Sequence, residues 1–170
     1  MYTTKLDPTQ ISALTDRLLT ARKNNLKQVL EIEHRLETVL EKDGVEYLND
    51  SKSTDITATM YSLVCMDRPL VWLLSCIEGY EDFTELIPLV RDKVKAIFYA
   101  GNENDLLVED MINEVELIQQ CGNMEELVKE AQAYAEAGDT VLFSPSSPSN
   151  DLYGSYRKRG EEFRKCVRAL

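Results

Sequence analysis

The sequence predicts a single α/β domain with a mostly parallel sheet and helices on both faces. Two patterns carry this. Apolar runs of four to seven residues, the length of buried strands, recur along the chain. Between them lie amphipathic stretches of helix length, as parallel strands with helical crossovers require. A helical extension, residues 1–32, precedes the domain, residues 33–170.

Asp7-Pro8 marks a helix start, with Asp as N-cap and Pro at the first helical position. Ile11, Leu14, Leu18, Leu26, Val29 and Leu30 keep helical spacing, giving one long helix or two short ones that end before His34. The period then changes. Leu36–Leu40 and Val45–Leu48 read as strands around Lys42-Asp43-Gly44, and Asp-Gly between such runs signals a hairpin. Asn49-Asp50-Ser51 reads as the cap of a helix over Ile56–Met66. Pro69–Ser75 is a buried strand, Phe83–Lys93 a helix, and Val94–Ala100 a strand ended by Gly101. A helix over Leu106–Asn113, a short strand over Val115–Ile118 and a helix over Met124–Ala137, closed by Gly138, follow. Thr140–Phe143 is the last strand. Ser144–Gly154 is a Ser/Pro-rich loop, and a final helix covers Ser155–Ala169.

Composition narrows function. The 170 residues suffice for one domain with a core, and 44% apolar with 29% charged residues is the balance of a globular protein. A net charge of -11 excludes nucleic acid and anionic membrane surfaces as partners. No apolar run approaches the roughly 18–20 residues of a membrane span. The start, MYTTKLDPTQ, lacks the pattern of a secretory signal, so the expected compartment is the cytoplasm. Cys65, Cys76, Cys121 and Cys166 form no C-x-x-C pair and read as reduced thiols. A basic cluster, Arg157, Lys158, Arg159, Arg164, Lys165 and Arg168, reads as the solvated face of the last helix, where cations favour the C-terminal end of the dipole.

Ligands of open parallel sheets bind beyond the carboxyl ends of the strands. That directs the search to residues 49–55, 75–82, 101–105 and 144–156. In the first loop, Lys52 and Thr54 beside a helix N-terminus suit a carboxylate or phosphate; the same short polar residues also serve simply as caps. His34-Arg35-Leu36-Glu37 lies at a helix-to-strand junction, and a single histidine without a nucleophile or second histidine is weak evidence for catalysis. In the last loop, Pro145 and Pro148 stiffen the chain around Ser149, which either caps or binds. No G-x-x-x-x-G-K-[ST], G-x-G-x-x-G or H-E-x-x-H is present, so no glycine-rich loop cradles a triphosphate.

Taken in order, these segments resemble the carboxy-terminal domain of the Mur ligase family, on its glutamate-adding branch, the UDP-N-acetylmuramoylalanine–D-glutamate ligases. The family pattern runs E-H-R-L-E, N-D-S-K-A-T, an apolar strand ending in Gly-Gly, an A-x-F-x-G strand end, then L-S-P-A-C-A-S-x-D and R-G-x-x-F. Here stand Glu33-His34-Arg35-Leu36-Glu37, Asn49-Asp50-Ser51-Lys52-Ser53-Thr54 and Ala96-Ile97-Phe98-Tyr99-Ala100-Gly101. Leu142-Phe143-Ser144-Pro145-Ser146-Ser147-Pro148-Ser149-Asn150-Asp151 and Arg159-Gly160-Glu161-Glu162-Phe163 complete the match. The resemblance implies a Rossmann-like three-layer domain that brings D-glutamate to a substrate activated elsewhere as an acyl phosphate. It implies amino-acid contacts at Lys52, Thr54, Ser149 and Tyr156, and nucleotide contacts at Arg35 and Asp50. It implies no catalytic residue or metal ligand within this chain; ATP and magnesium belong to a central domain outside it.

The departures are specific. Gly-Gly is replaced by Ser75-Cys76, and the lysine that grips the amino-acid carboxylate aligns with Gly79. Losing one such charge-assisted bond is worth roughly 1.5–3 kcal/mol. Ala-Cys-Ala becomes Ser146-Ser147-Pro148. Two functions follow: the amino-acid-binding domain of a glutamate ligase, or a degenerate stand-alone paralogue serving as a non-catalytic binding or regulatory module. The implied partners are D-glutamate and either a separate chain carrying the ATP-binding ligase domains or a second copy.

Overall fold

The structure, a computed structural model, describes residues 33–67, 69–77, 82–101, 105–149 and 153–170. The helical reading of residues 1–32, and the expectations for Gly79 and Asn150–Asp151, lie outside these.

Six strands form one sheet in the order β1-β2-β6-β3-β4-β5. They are β1 (Glu37–Lys42), β2 (Val45–Asn49), β3 (Leu70–Ile77), β4 (Val94–Gly101), β5 (Leu117–Cys121) and β6 (Thr140–Phe143). Only β1 runs antiparallel, against β2. The β1–β2 hairpin closes through Asp43 and Gly44, both with positive φ (53° and 80°), the type I′ geometry that Asp-Gly favours. The helices are α1 (Ile56–Val64), α2 (Ile87–Lys93, led by a 3₁₀ turn at Thr84–Leu86), α3 (Asp105–Met111), α4 (Met124–Tyr134) and α5 (Tyr156–Arg168).

Strand alternation divides the core. Val71, Leu73, Ala96, Phe98, Val141 and Phe143 face α4 and α5, where Leu127, Val128, Phe163 and Val167 cover them. Leu70, Trp72, Leu74, Ile97 and Leu142 face α1, α2 and α3, meeting Leu63, Leu86, Val90 and Leu107. Right-handed crossovers explain the division. The chain moves in one direction from β2 to β5 with α1, α2 and α3 on one face. It then reverses to place β6 between β2 and β3, which puts α4 on the other face. The helices after β6 and after its neighbours β2 and β3 therefore leave on opposite faces, and this opens a crevice at the carboxyl ends of these strands.

Several boundaries differ from expectation. The cap of α1 is Asp55, whose side chain accepts from Ala58 N at 2.8 Å, while Asn49 ends β2 and Asp50 and Ser51 turn the chain. β5 lies further along than Val115–Ile118, because an edge strand carries polar Gln119 and Gln120 through its ladder. α4 stops at Tyr134; Gly138 (φ 103°) instead serves the turn into β6, donating to Gly44 O. Among the described residues no helix is long and apolar enough to cross a membrane.

Candidate functional site

The crevice lies at the carboxyl ends of β2, β3 and β6, and the segments leaving β2 and β6 are joined directly. Asp50 N donates to Phe143 O (2.8 Å) and Ser146 N to Ser53 O (3.2 Å), so the 50–54 turn lies against the segment leaving β6. Trp72 Nε1 donates to Ser144 O and Ser147 Oγ to Ser75 O (2.8 and 2.6 Å), which fixes the same segment onto β3. Ser146 adopts a left-handed φ of 59°, a conformation these bonds hold in place.

Beneath the 50–54 turn sits Asp50, fully buried. Its Oδ2 accepts from Ser53 Oγ, Ser62 Oγ and Ser144 Oγ at 2.5, 2.6 and 2.8 Å, and its Oδ1 from Leu36 N at 3.3 Å. Burial pushes its carboxyl above the usual range, while the three hydroxyls pull the other way. Thr59 Oγ1 bonds Ser144 Oγ (2.9 Å) and accepts from Ser146 Oγ (2.8 Å).

Across the crevice, α5 contributes a motif whose three residues each have a distinct role. Arg159 is fully buried and donates to Ser51 O (3.1 Å), Ser147 O (2.9 Å) and Pro148 O (3.2 Å), bridging the two loops with one guanidinium. Gly160 permits close packing: a Cβ there would lie 2.2 Å from Ser51 Oγ and 2.3 Å from His34 Nδ1. Phe163 stacks on Phe143, 4.7 Å between centroids. His34 is buried, at φ 67°. Asn49 Nδ2 donates to its Nδ1 (3.1 Å), leaving a neutral ring protonated on Nε2. Burial lowers its pKa, with nearby Arg164 adding to the effect.

The expected site residues fall into two groups. Lys52 and Thr54 flank Ser53 on the turn, Lys52 exposed and Thr54 half-buried. Ser149 is buried in the loop after β6, its carbonyl accepting from Tyr153 N (3.3 Å). Half-buried Tyr156 packs edge-on against His34 (6.0 Å), with the Arg157 guanidinium 5.0 Å over its ring. The Arg159 bridge and the Ser146–Ser53 bond join the segments carrying these four. Arg35 is exposed beside them, whereas every described contact of the Asp50 carboxylate is to the chain itself.

The basic cluster is corrected in part. Arg157, Lys158, Lys165 and Arg168 are exposed as expected. Arg159 is core, and Arg164 is half-buried, bonding Glu33 (2.9 Å) and Glu37 (3.1 Å). Helical spacing alone could not single out Arg159, but a glycine directly after it, inside a helix, is a signal of close packing. Ser62 and Thr59 gave no sequence signal, and Ser144 was marked only as part of a loop motif.

A family model described as Mur ligase, glutamate ligase domain, matches residues 34–147. Among curated relatives, a UDP-N-acetylmuramoylalanine–D-glutamate ligase of Christiangramia forsetii is 37% identical over 163 residues, covering 94% of this chain and 37% of the relative. One of Bacteroides fragilis is 40% identical over 141 residues, covering 82% and 32%. The chain thus spans about a third of the length of these relatives. Two solved structures share the fold: a murein peptide ligase of Psychrobacter arcticus (TM-score 0.55, 12% identity, 81% of this chain and 30% of that one) and E. coli FolC bound to ADP (0.52, 18%, 82% and 33%). With the family model matching residues 34–147 and the sheet, helices and carboxyl-edge crevice in place, the chain belongs to the Mur ligase family, as a carrier of its C-terminal glutamate ligase domain.

Proposed function

We propose that this chain is the amino-acid-presenting domain of a peptidoglycan-precursor ligase of the D-glutamate-adding type, unable to carry out ATP-dependent ligation alone. The observation that carries the reading is the joining of the loops bearing Lys52, Thr54, Ser149 and Tyr156 at one sheet edge through Arg159 and the Ser146–Ser53 bond. An ammonium, hydroxyls and an aromatic ring there suit a small carboxylate-bearing amino acid held with its amine free to attack an activated acyl group. Arg35, exposed beside the crevice, suits a nucleotide bound mainly by another domain.

On this reading ATP and magnesium are bound mainly by another domain. The N-termini of α1, α4 and α5 are closed by their own caps, Asp55, Asn123 and Ser155. A triphosphate grip would come from ATP-binding domains beyond these 170 residues. The setting expected for that reaction is the cytoplasm.

A second reading, a non-catalytic module, is favoured by one feature. Where the family strand ends in small glycines, Ser75 is buried and its carbonyl is held by Ser147 Oγ, while the aligned lysine is Gly79 in sequence. Calorimetric titration with D-glutamate separates the two. Saturable binding in the millimolar range or tighter, abolished in Ser149→Ala, supports the first; absence of heat supports the second.

A further inference from the structure

We propose, resting on the amino-acid-presenting reading, that Arg157 at the start of α5 grips one carboxylate of the amino acid and so selects a dicarboxylic substrate over its amides.

The distribution of positive charge leads to this residue. No Lys or Arg occurs in residues 69–90, 101–128 or 140–156, so the connections leaving β3, β4, β5 and β6 bring no cation to the carboxyl edge before α5 begins. The turn after β2 brings one, Lys52, and Arg35 stands before β1. Within α5, Arg159 is committed to the carbonyls of Ser51, Ser147 and Pro148, and Arg164 to Glu33 and Glu37. An acidic amino acid whose amine is free to attack presents two carboxylates. The Lys52 ammonium answers one of them, and a second cation is needed to take the other out of water.

The fold hangs both cations on His34. Lys52 N donates to His34 O (3.1 Å), the His34 ring meets Tyr156 edge-on (6.0 Å), and the Arg157 guanidinium lies 5.0 Å over the Tyr156 ring. Arg157 is exposed, and among the described residues its guanidinium makes no ion pair. Glu33, whose carboxylate lies in its field, is bonded to Arg164 instead (2.9 Å). Stacking on an aromatic face restricts the planar fork before a ligand arrives and leaves its N–H edge open to a bidentate carboxylate. Helix stability does not explain the residue. The first turn of α5 holds Arg157 and Lys158 and no acidic side chain, at the helix end that disfavours cations.

Amide chemical-shift titration of the whole chain with D-glutamate, D-glutamine and D-isoglutamine tests it. Arg157→Gln is expected to bind D-glutamate at least about tenfold more weakly, the loss of one charge-assisted bond. Its affinity for one of the two amides stays within about threefold of the parent's, because that amide lacks the carboxylate Arg157 would hold. Arg157→Lys, which keeps the charge without the fork, falls between. Lys158→Gln stays within about threefold of the parent for all three ligands, and Arg157→Gln melts within about 2 °C of it. Parent-like D-glutamate affinity in Arg157→Gln overturns the proposal and leaves the amino-acid-presenting reading standing. So does an equal loss toward all three ligands, an equal loss in Lys158→Gln, or a fall in Tm that accompanies the weaker binding. A parent chain that binds none of the three overturns both.

Discussion

Replacing Gly160 by alanine sets a favourable helix propensity against a steric conflict, and the structure indicates which prevails. Alanine in a helix interior gains roughly 0.5–1 kcal/mol over glycine. The added Cβ would lie 2.2 Å from Ser51 Oγ, 2.3 Å from His34 Nδ1 and 2.9 Å from His34 Cε1. Ordinary contact needs about 3.5 Å, so each neighbour must give by about 1 Å. Ser51 can comply, since its buried hydroxyl makes no hydrogen bond among the described residues and can rotate. His34 cannot. Its N donates to Glu37 Oε2 (2.9 Å), its carbonyl accepts from Lys52 N (3.1 Å), and its ring is held by Asn49 and Tyr156. Overpacking of this kind costs roughly 1–3 kcal/mol, and disturbing the Asn49 bond adds about 1. The net expectation for Gly160→Ala is destabilisation by about 1–3 kcal/mol, which lowers Tm by roughly 2–10 °C in a domain of this size. Urea unfolding followed by circular dichroism, with an unchanged slope, measures it. His34→Ala should cancel part of the loss, a coupling visible in a double-mutant cycle. A Gly160→Ala protein as stable as the parent would refute the packing argument.

Other consequences follow from the same contacts. Arg159→Met leaves the carbonyls of Ser51, Ser147 and Pro148 without their shared donor; a loss of roughly 1–3 kcal/mol for each buried carbonyl left bare is expected by chemical denaturation. Lys93 Nζ donates to the carbonyls of Leu63 (2.9 Å), Val64 (3.1 Å) and Met66 (2.8 Å) at the end of α1, so Lys93→Met should cost roughly 1–2 kcal/mol and speed amide exchange in the last turn of that helix. The Cys121 thiol is pushed up to about 11 by burial, with Glu126 and Glu130 adding to the effect. It should therefore resist iodoacetamide at pH 8 in the native protein and react on unfolding, as mass spectrometry of the labelled peptides would show.

The sheet was legible because its strands are apolar on both faces and separated by amphipathic helices, and Asp43-Gly44 announced the one hairpin. β5 was placed too early because its edge position lets Gln119 and Gln120 occupy ladder positions that hydrophobicity does not mark. The candidate loops were chosen from strand ends alone, and Lys52, Thr54, Ser149 and Tyr156 lie on segments that the fold joins. Asp50 read as part of a helix cap or, by resemblance, as a nucleotide contact, and Arg159 as part of a solvated helix face; the burial of both was not legible. Whether such a side chain faces water or core depends on the carbonyls and hydroxyls that distant segments bring to it. Ser62, Ser144 and Thr59 surround Asp50 only once α1 and β6 are side by side, which no local pattern encodes.

On the proposed reading, the crevice beyond β2, β3 and β6 receives a small amino acid. The most direct measurement is amide chemical-shift mapping during titration with D-glutamate. Saturable shifts confined to Lys52, Thr54, Ser149 and their neighbours are expected, with L-glutamate much weaker. An absence of shifts up to tens of millimolar ligand, or shifts centred on Lys165 and Arg168 at the far end of α5, would contradict that reading.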